Sequence, residues 1–455
     1  MKLKRIFFQP LLFPIAFFGK TILAGSLLLI LPVSLADGFS LSWTDALFTA
    51  ASATCVTGLT VVDTGTTFST FGKSVILFLI QIGGLGIMSL TSLAMYLFRQ
   101  RVTLTDRIAV GQNLLQDPRF QLGRFLLRIV FWTLLIELIG AGLLYLATRG
   151  EMHFGSALFH SISAFCNAGF ALYGDSLSSW SDNVPVNMVF ISLIILGGIG
   201  FFVMVETVQW LSSKLSLRGN TPPVRLSWYS TVVLQTSFFL VVGGTLALFI
   251  TECIVQSHDM SWHVELLTSL FQAVSCRTAG FNTIPIAGLT NVTLLLMMGL
   301  MFIGAAPGSC GGGIKVTTFR VLLGFLRAEL RGRDQTVIGR MAASRETVSR
   351  ALSLFAFSVV IIATAIFILS ISETGSIPHG ESRGKFLEIA FEVVSAYGTA
   401  GISTGLTPQL SIFGKYVIII LMFLGRLGPL VFIGVLHTLQ RRESFSRPES
   451  DLLIG

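Results

Sequence analysis

Apolar and polar positions alternate along this chain on the scale of a bilayer. Four apolar segments, roughly 16–35, 125–148, 229–253 and 351–372, are each long enough to cross about 30 Å of hydrocarbon as a helix. After each comes a stretch of only about ten to fourteen moderately apolar residues, too short to cross. A glycine closes that stretch, and a second long apolar segment follows. The pattern predicts one repeated unit: span, short re-entrant helix, glycine-containing loop, span. Four such units predict an all-α polytopic membrane protein with eight transmembrane helices around a pseudo-fourfold pore.

The units resemble one another residue by residue, the strongest signal for a repeat architecture. Ala46-Leu-Phe-Thr-Ala-Ala-Ser leads to Gly58-Leu59, and Ala157-Leu-Phe-His-Ser-Ile-Ser leads to Gly169-Phe170. Ser269-Leu-Phe-Gln-Ala-Val-Ser leads to Gly280-Phe281, and Ile389-Ala-Phe-Glu-Val-Val-Ser leads to Gly401-Ile402. The third copy is one residue shorter between its serine and its glycine. The second apolar segments repeat too: Ile82-Gly-Gly-Leu-Gly86, Leu196-Gly-Gly-Ile-Gly200, Ile303-Gly-Ala-Ala-Pro-Gly308 and Leu424-Gly-Arg-Leu-Gly-Pro429. One such loop alone reads as an ordinary outer loop with an interfacial helix. Four matched copies favour re-entrant loops, because four equivalent loops around an axis close a ring. The repeats are assigned to 1–98, 99–211, 212–326 and 327–440, with 441–455 as a cytoplasmic tail.

Composition agrees: 53% of residues are hydrophobic and 12% charged, which excludes a soluble protein of this size. The formal charge of +8 is concentrated in segments 2–5, 99–124, 214–225, 327–345 and 441–447, which would share one side of the membrane. The positive-inside rule puts these segments and both termini in the cytoplasm of a bacterial inner membrane. Lys2, Lys4 and Arg5 before an apolar run imitate a signal peptide, but the repeat requires the first span to be retained. Basic patches on the inner face also suit anionic lipid. Five cysteines lack metal-ligand spacing, and no His/Cys/Asp/Glu cluster has catalytic spacing, so neither a metal site nor an enzyme is expected. Nothing points to nucleic acid.

One apolar segment, 291–326, is interrupted by Gly304-Ala-Ala-Pro-Gly-Ser-Cys-Gly-Gly-Gly-Ile-Lys315. A proline costs about 3 kcal/mol and each glycine about 1 within a helix, so the span should break at mid-membrane. Irregular backbone at that depth survives only when buried in protein or lining water. The stretch approaches a phosphate-binding loop, yet Ile314 separates Gly313 from Lys315 and no strand precedes it.

Four loops closing on glycine suit a cation filter. A dehydrated cation needs oxygens in place of water, and rings of backbone carbonyls supply them. Glycine adopts the backbone angles that aim carbonyls at an axis. The carboxyl ends of the short helices add negative potential that favours cations. Gly58, Gly169, Gly280 and Gly401, with Thr57, Ala168, Ala279 and Ala400 immediately before them, form the candidate filter. For any one glycine alone a helix C-cap explains it as well; Asn167, Asn282, Thr57, Thr278 and Thr399 either add oxygens or cap and pack.

These loops, the eight-span layout and the glycine-rich break resemble the Trk/Ktr/HKT superfamily of potassium transporters, and within it the KtrB class of membrane subunits. The resemblance covers essentially the whole chain and is most specific in Ser275-Cys-Arg-Thr-Ala-Gly-Phe-Asn-Thr283 and in Ala306-Pro-Gly-Ser-Cys-Gly-Gly-Gly-Ile-Lys315. It implies a homodimer with one pore per subunit, potassium uptake stimulated by sodium, and a cytosolic ring of nucleotide-binding regulatory subunits of the KtrA kind. Nucleotide would bind that partner, since this chain has no cofactor site. In the superfamily a serine at the first filter glycine accompanies sodium transport, so Gly58 implies potassium.

The resemblance makes 304–315 a gating loop, with Gly304, Gly308, Gly311, Gly312, Gly313 and Lys315 as its candidate residues. Arg426, a charge inside the last span, is expected to face the pore and hydrogen-bond carbonyls of that loop; a purely structural role is the plainer reading. Arg277, beside the third glycine, is expected to pair with an acid such as Glu392. The basic run from Arg327 to Arg350 is a docking surface for a regulator or only an orientation signal. The rival function is an alternating-access transporter of another small solute, but its inverted repeats are not seen here.

Overall fold

The structure is a computed structural model that describes residues 13–85, 122–215, 225–255, 261–376, 378 and 380–428. It is built almost wholly of helices. In repeat one, α1 (Phe13–Leu29) is followed by the short α2 (Trp43–Thr54) and then α3 (Thr70–Gly84). Repeat two has α4 (Leu122–Ala147), the short α5 (Phe154–Phe165), α6 (Val184–Gly198) and α7 (Phe201–Leu215). Repeat three has α8 (Trp228–Val255), the short α9 (Trp262–Ser275), α10 (Asn291–Phe302) and α11 (Val316–Glu329). Repeat four has α12 (Arg345–Thr374), the short α13 (Lys385–Gly398) and α14 (Ile412–Leu427).

Among the described residues three helices are long and apolar enough to cross a membrane: Leu127–Ala147, Trp228–Glu252 and Arg345–Thr374. The short helices α2, α5, α9 and α13 contain 12 to 14 residues. At 1.5 Å per residue that is about 20 Å, which does not span the hydrocarbon. Their carboxyl-terminal parts are buried in protein instead: every residue of α13 from Ile389 to Gly398 is shielded from solvent. The long helices carry the exposed apolar surface, including Phe131 and Leu146 on α4 and Phe238 and Phe239 on α8. That distribution suits lipid outside and short helices inside.

Local sequence sets the helix starts. The side chains of Ser69, Asn183, Thr290, Ser344 and Ser411 each accept a backbone N–H from the first turn of the helix that follows.

The repeats pack in a closed cycle. The second helix of each lies against the short helix of the next: α3 on α5, α6 on α9, and α10 on α13. The fourth, α14, returns to α2. The repeated glycines explain how they approach so closely. At Gly197 and Gly425 a β-carbon would strike the carbonyl oxygens of Phe165 and Tyr397, at the carboxyl ends of α5 and α13, and Gly83 meets that of Thr54 in the same way.

Two features depart from the expected pattern. A small antiparallel hairpin, β1 (Val337–Ile338) with β2 (Met341–Ala342), interrupts the all-α chain inside the basic segment. The second passage of repeat two is also bent, by 109° between α6 and α7. The cause is Gly200, whose φ of +88° ends one helix and starts the other. Gly86, Pro429, both termini and the basic segments 2–5, 99–119 and 441–447 lie outside the described residues, so the expected orientation is not described.

Candidate ion pathway and intramembrane loop

Each short helix ends in the same local geometry. A left-handed residue appears at Val56 (φ +55°), Asn167 (+58°), Thr278 (+72°) and Thr399 (+50°). Two residues later stand Gly58 (+93°), Gly169 (+69°), Gly280 (+81°) and Gly401 (+79°). Left-handed backbone strains non-glycine residues, most of all the β-branched Val56, by about 1–3 kcal/mol each, and persists where surroundings over-determine it.

The serine that begins each motif's end supplies that constraint. The N–H groups of Thr57, Ala168, Ala279 and Ala400 donate to the carbonyls of Ser52, Ser163, Ser275 and Ser395 at 2.9, 2.7, 2.9 and 2.8 Å. The missing residue of the third copy is absorbed here, because Ala279 reaches back four positions where the others reach five. Serine hydroxyls reinforce the turn: Gly58 N–H donates to Ser52 Oγ at 3.1 Å, and the hydroxyls of Ser163 and Ser275 donate to the carbonyls of Phe170 and Phe281 at 2.9 and 2.5 Å.

The four glycines meet in chain order. A β-carbon on Gly58 would stand 2.6 Å from the carbonyl oxygen of Ala168; on Gly169, 2.9 Å from that of Ala279; on Gly280, 2.9 Å from that of Ala400. On Gly401 it would collide with the carbonyl oxygen of Thr57, which closes the ring. All eight candidate residues are thus brought together, and the residue before each glycine presents its carbonyl to a neighbouring repeat. The hydroxyls of Thr57, Thr278 and Thr399 beside the ring are buried without hydrogen-bond partners. The Asn167 amide, with its nitrogen turned toward them, donates to the carbonyls of Ala164 and Ile194, which makes it a cap.

The interrupted span breaks between α10 and α11. Its irregular stretch is held by backbone hydrogen bonds: Gly304 N–H to the Ile314 carbonyl at 2.8 Å, closing the base of the loop, and Val316 N–H to the Ala305 carbonyl at 3.3 Å. The loop lies directly against the ring, since β-carbons on Gly311 and Gly312 would strike the side chains of Thr278 and Thr399. Lys315 Nζ donates to the Gly311 carbonyl at 2.7 Å. Arg426 donates to the carbonyls of Cys310 and of Gly83, the latter in repeat one.

Four contacts to this loop were not singled out from the sequence. The N–H groups of Ala306 and Cys310 donate to the carbonyls of Gly198 and Gly197, both at 3.0 Å, and Phe201 N–H donates to Gly308 at 3.2 Å. The bend at Gly200 therefore exposes backbone that the loop pairs with; the motif Leu196-Gly-Gly-Ile-Gly200 was the available signal. Tyr229 at the start of α8 donates to the Pro307 carbonyl at 3.1 Å, and its neighbour Trp228 donates to the Ile338 carbonyl of the hairpin at 2.9 Å.

The expected pairing of Arg277 with Glu392 is not observed. Arg277 donates to Ser237 Oγ of α8 at 3.0 Å. The Glu392 carboxylate is taken by donors of its own repeat: the hydroxyls of Ser403 and Thr407 and the N–H of Thr404. The ion pairs among the described residues, Lys415–Asp45 and Arg350–Glu346, involve neither. Each group is instead met inside its own repeat: Ser237 accepts from Arg277, whose Nε stays without a partner, and Glu392 is held by neutral donors. Among the described residues no group of His, Cys, Asp and Glu could hold a metal ion.

The four short helices thus end at one ring of glycines, and comparison with known proteins gives the family. Residues 15–439 match the family model TrkH, described as a cation transport protein. The chain belongs to the TrkH family. It is 40% identical over 436 residues to the Ktr system potassium uptake protein B of Bacillus subtilis strain 168, covering 94% of this chain and 92% of that protein. It is 34% identical to the potassium/sodium uptake protein NtpJ of Enterococcus hirae, covering 95% and 94%. The solved structure of the potassium transporter TrkH from Vibrio parahaemolyticus superposes with a TM-score of 0.72 over 92% of this chain and 83% of that one, at 21% identity. TrkH-family membership makes the chain a transport protein and not an enzyme.

Proposed function

We propose that this chain takes up potassium across a bacterial cytoplasmic membrane through a carbonyl-lined filter at Thr57–Gly58, Ala168–Gly169, Ala279–Gly280 and Ala400–Gly401. The observation that carries the reading is the ring closure, in which the four glycines touch in sequence order. Carbonyl oxygens gathered at such a ring replace the hydration shell of a cation. The unpartnered hydroxyls of Thr57, Thr278 and Thr399 are the kind of oxygen that pore water or an ion satisfies. Four short helices pointing their carboxyl ends inward favour positive charge.

The loop 304–315 is the gate. It lies against the ring, and its irregular backbone moves without unfolding a helix. Gly304, Gly308, Gly311, Gly312, Gly313 and Lys315 shape it, and Arg426 holds it closed through Cys310. The chain forms eight spans in four units bounded at 98/99, 211/212, 326/327 and 440/441, with both termini cytoplasmic. It works as a homodimer, with a cytosolic nucleotide-binding ring docking on the basic inner segment. Sodium stimulates uptake, a reading supported by the likeness to the potassium/sodium uptake protein of Enterococcus hirae.

Potassium-transport-deficient bacteria test this. Cells carrying the chain with a cytosolic regulatory subunit should regain growth at low potassium, faster with sodium. Normal membrane expression without rescue in any condition overturns the reading and directs attention to other solutes.

A further inference from the structure

Repeats three and four carry a glutamate at the same place. Glu252 and Glu373 each stand 28 residues before their ring glycine, near the end of the first helix of the repeat. In repeat four Glu373 is a fully occupied clamp. Its Oε2 accepts from Ser411 N–H at 3.1 Å, and its Oε1 accepts from the hydroxyls of Ser411 and Ser372 at 2.6 and 3.0 Å. It ties the start of α14 to the end of α12.

Glu252 is placed alike and bonded differently. Its Oε1 accepts from Thr293 Oγ1 at 2.5 Å, while Oε2 is buried without a partner. The residue is only 9% exposed, and among the described residues no cationic side chain lies within ion-pair distance. Two further hydroxyls flank the Thr293 hydroxyl that bonds it: Thr293 Oγ1 lies 3.0 Å from Thr290 Oγ1 and 3.3 Å from Thr251 Oγ1. Thr293 replaces Gly414 of repeat four, each 13 residues after its ring glycine, so repeat three adds a hydroxyl where repeat four has no side chain. A buried carboxylate oxygen left bare is costly unless something binds it.

We propose that Glu252, Thr251, Thr290 and Thr293 form a sodium site at the junction of α8 and α10, separate from the filter. One carboxylate supplies a single negative charge, which a monovalent ion neutralises; calcium and magnesium sites ordinarily recruit several charged or carbonyl ligands and waters. The Thr293 and Thr251 hydroxyl oxygens, 3.3 Å apart, would as adjacent octahedral corners place an ion about 2.3 Å from each, a length suited to a calcium-sized ion such as sodium and too short for potassium. By position the site lies at the ring-glycine loop's end of α8 and α10, the side opposite the gate. The inference deepens the sodium-stimulated reading and rests on it for physiological meaning.

The test is equilibrium binding of radioactive sodium to the purified full chain in saturating potassium, which fills the filter, beside uptake in cells. Wild type should bind sodium saturably at one site per chain. Glu252→Gln should lose about tenfold or more in affinity, in the range seen when support of a metal site is removed. Glu373→Gln, already satisfied by protein donors, should bind as wild type. Thr251→Val, a milder change, should weaken binding severalfold and decides the matter if Glu252→Gln does not fold. Unchanged sodium binding in the folded glutamate and threonine variants, or no potassium-resistant binding in wild type, overturns the site. Binding that depends on Glu252 together with uptake indifferent to sodium keeps the site and removes the stimulation reading. Sodium-stimulated uptake with binding independent of Glu252 does the reverse.

Discussion

The guanidinium of Arg426 donates to the carbonyl oxygen of Cys310, joining the last described helix to the middle of the loop 304–315. The same side chain donates to Gly83 of repeat one, so a single arginine ties the loop to two repeats. Charged hydrogen bonds of this kind contribute about 1.5–3 kcal/mol each. Arg426→Ala should therefore raise potassium flux by about tenfold or more at normal expression. Arg426→Lys, with a point charge that cannot bridge both carbonyls, should fall between. Flux assays in cells with matched membrane levels check both, and unchanged or lower flux contradicts the latch.

Tyr229 holds the other side of the loop through Pro307. Tyr229→Phe removes one hydrogen bond worth about 1 kcal/mol and should shift the gate toward opening by about fivefold. Single-channel or flux measurements read the shift. Trp228, its neighbour, touches the hairpin at Ile338, so truncating the hairpin should alter the same equilibrium.

Glu392 receives three donors from the loop that follows Gly401. Glu392→Gln puts an amide nitrogen against donors and should cost about 2 kcal/mol. The expected outcome is a lower melting temperature with weakened preference for potassium over sodium. A change in melting alone would leave Glu392 a support of the fold and not of the filter.

Gly401 cannot accept a side chain. A methyl group there collides with the Thr57 carbonyl, and its φ of +79° adds strain. Gly401→Ala should abolish uptake while leaving membrane insertion intact, as checked by expression and gel filtration.

Much of this was legible in the residues. The four glycines and the interrupted span follow from chain chemistry, because glycine and proline act locally and repeats announce themselves. The contact of Arg426 with the loop was also foreseeable, since an unpaired charge inside a span needs carbonyls or water. The bend at Gly200 was not, although its motif was visible: only the loop's arrival at Gly197 and Gly198 shows why a helix should turn there. Arg277 misled for a related reason. Opposite charges close to a ring suggest a pair, but each group meets hydroxyls of its own repeat instead, which leaves Arg277 Nε without a partner. Tyr229 looked like any aromatic at a helix start, and nothing nearby in sequence points to Pro307.

A glycine ring that selects potassium must lose its selectivity when one of its glycines is replaced. Reversal potentials of the purified chain in liposomes, with potassium on one side and sodium on the other, test it most directly in wild type and Gly58→Ser. Wild type should show a strong potassium preference that collapses toward equal permeability in Gly58→Ser. A preference unchanged by Gly58→Ser, in protein that still conducts, would contradict it.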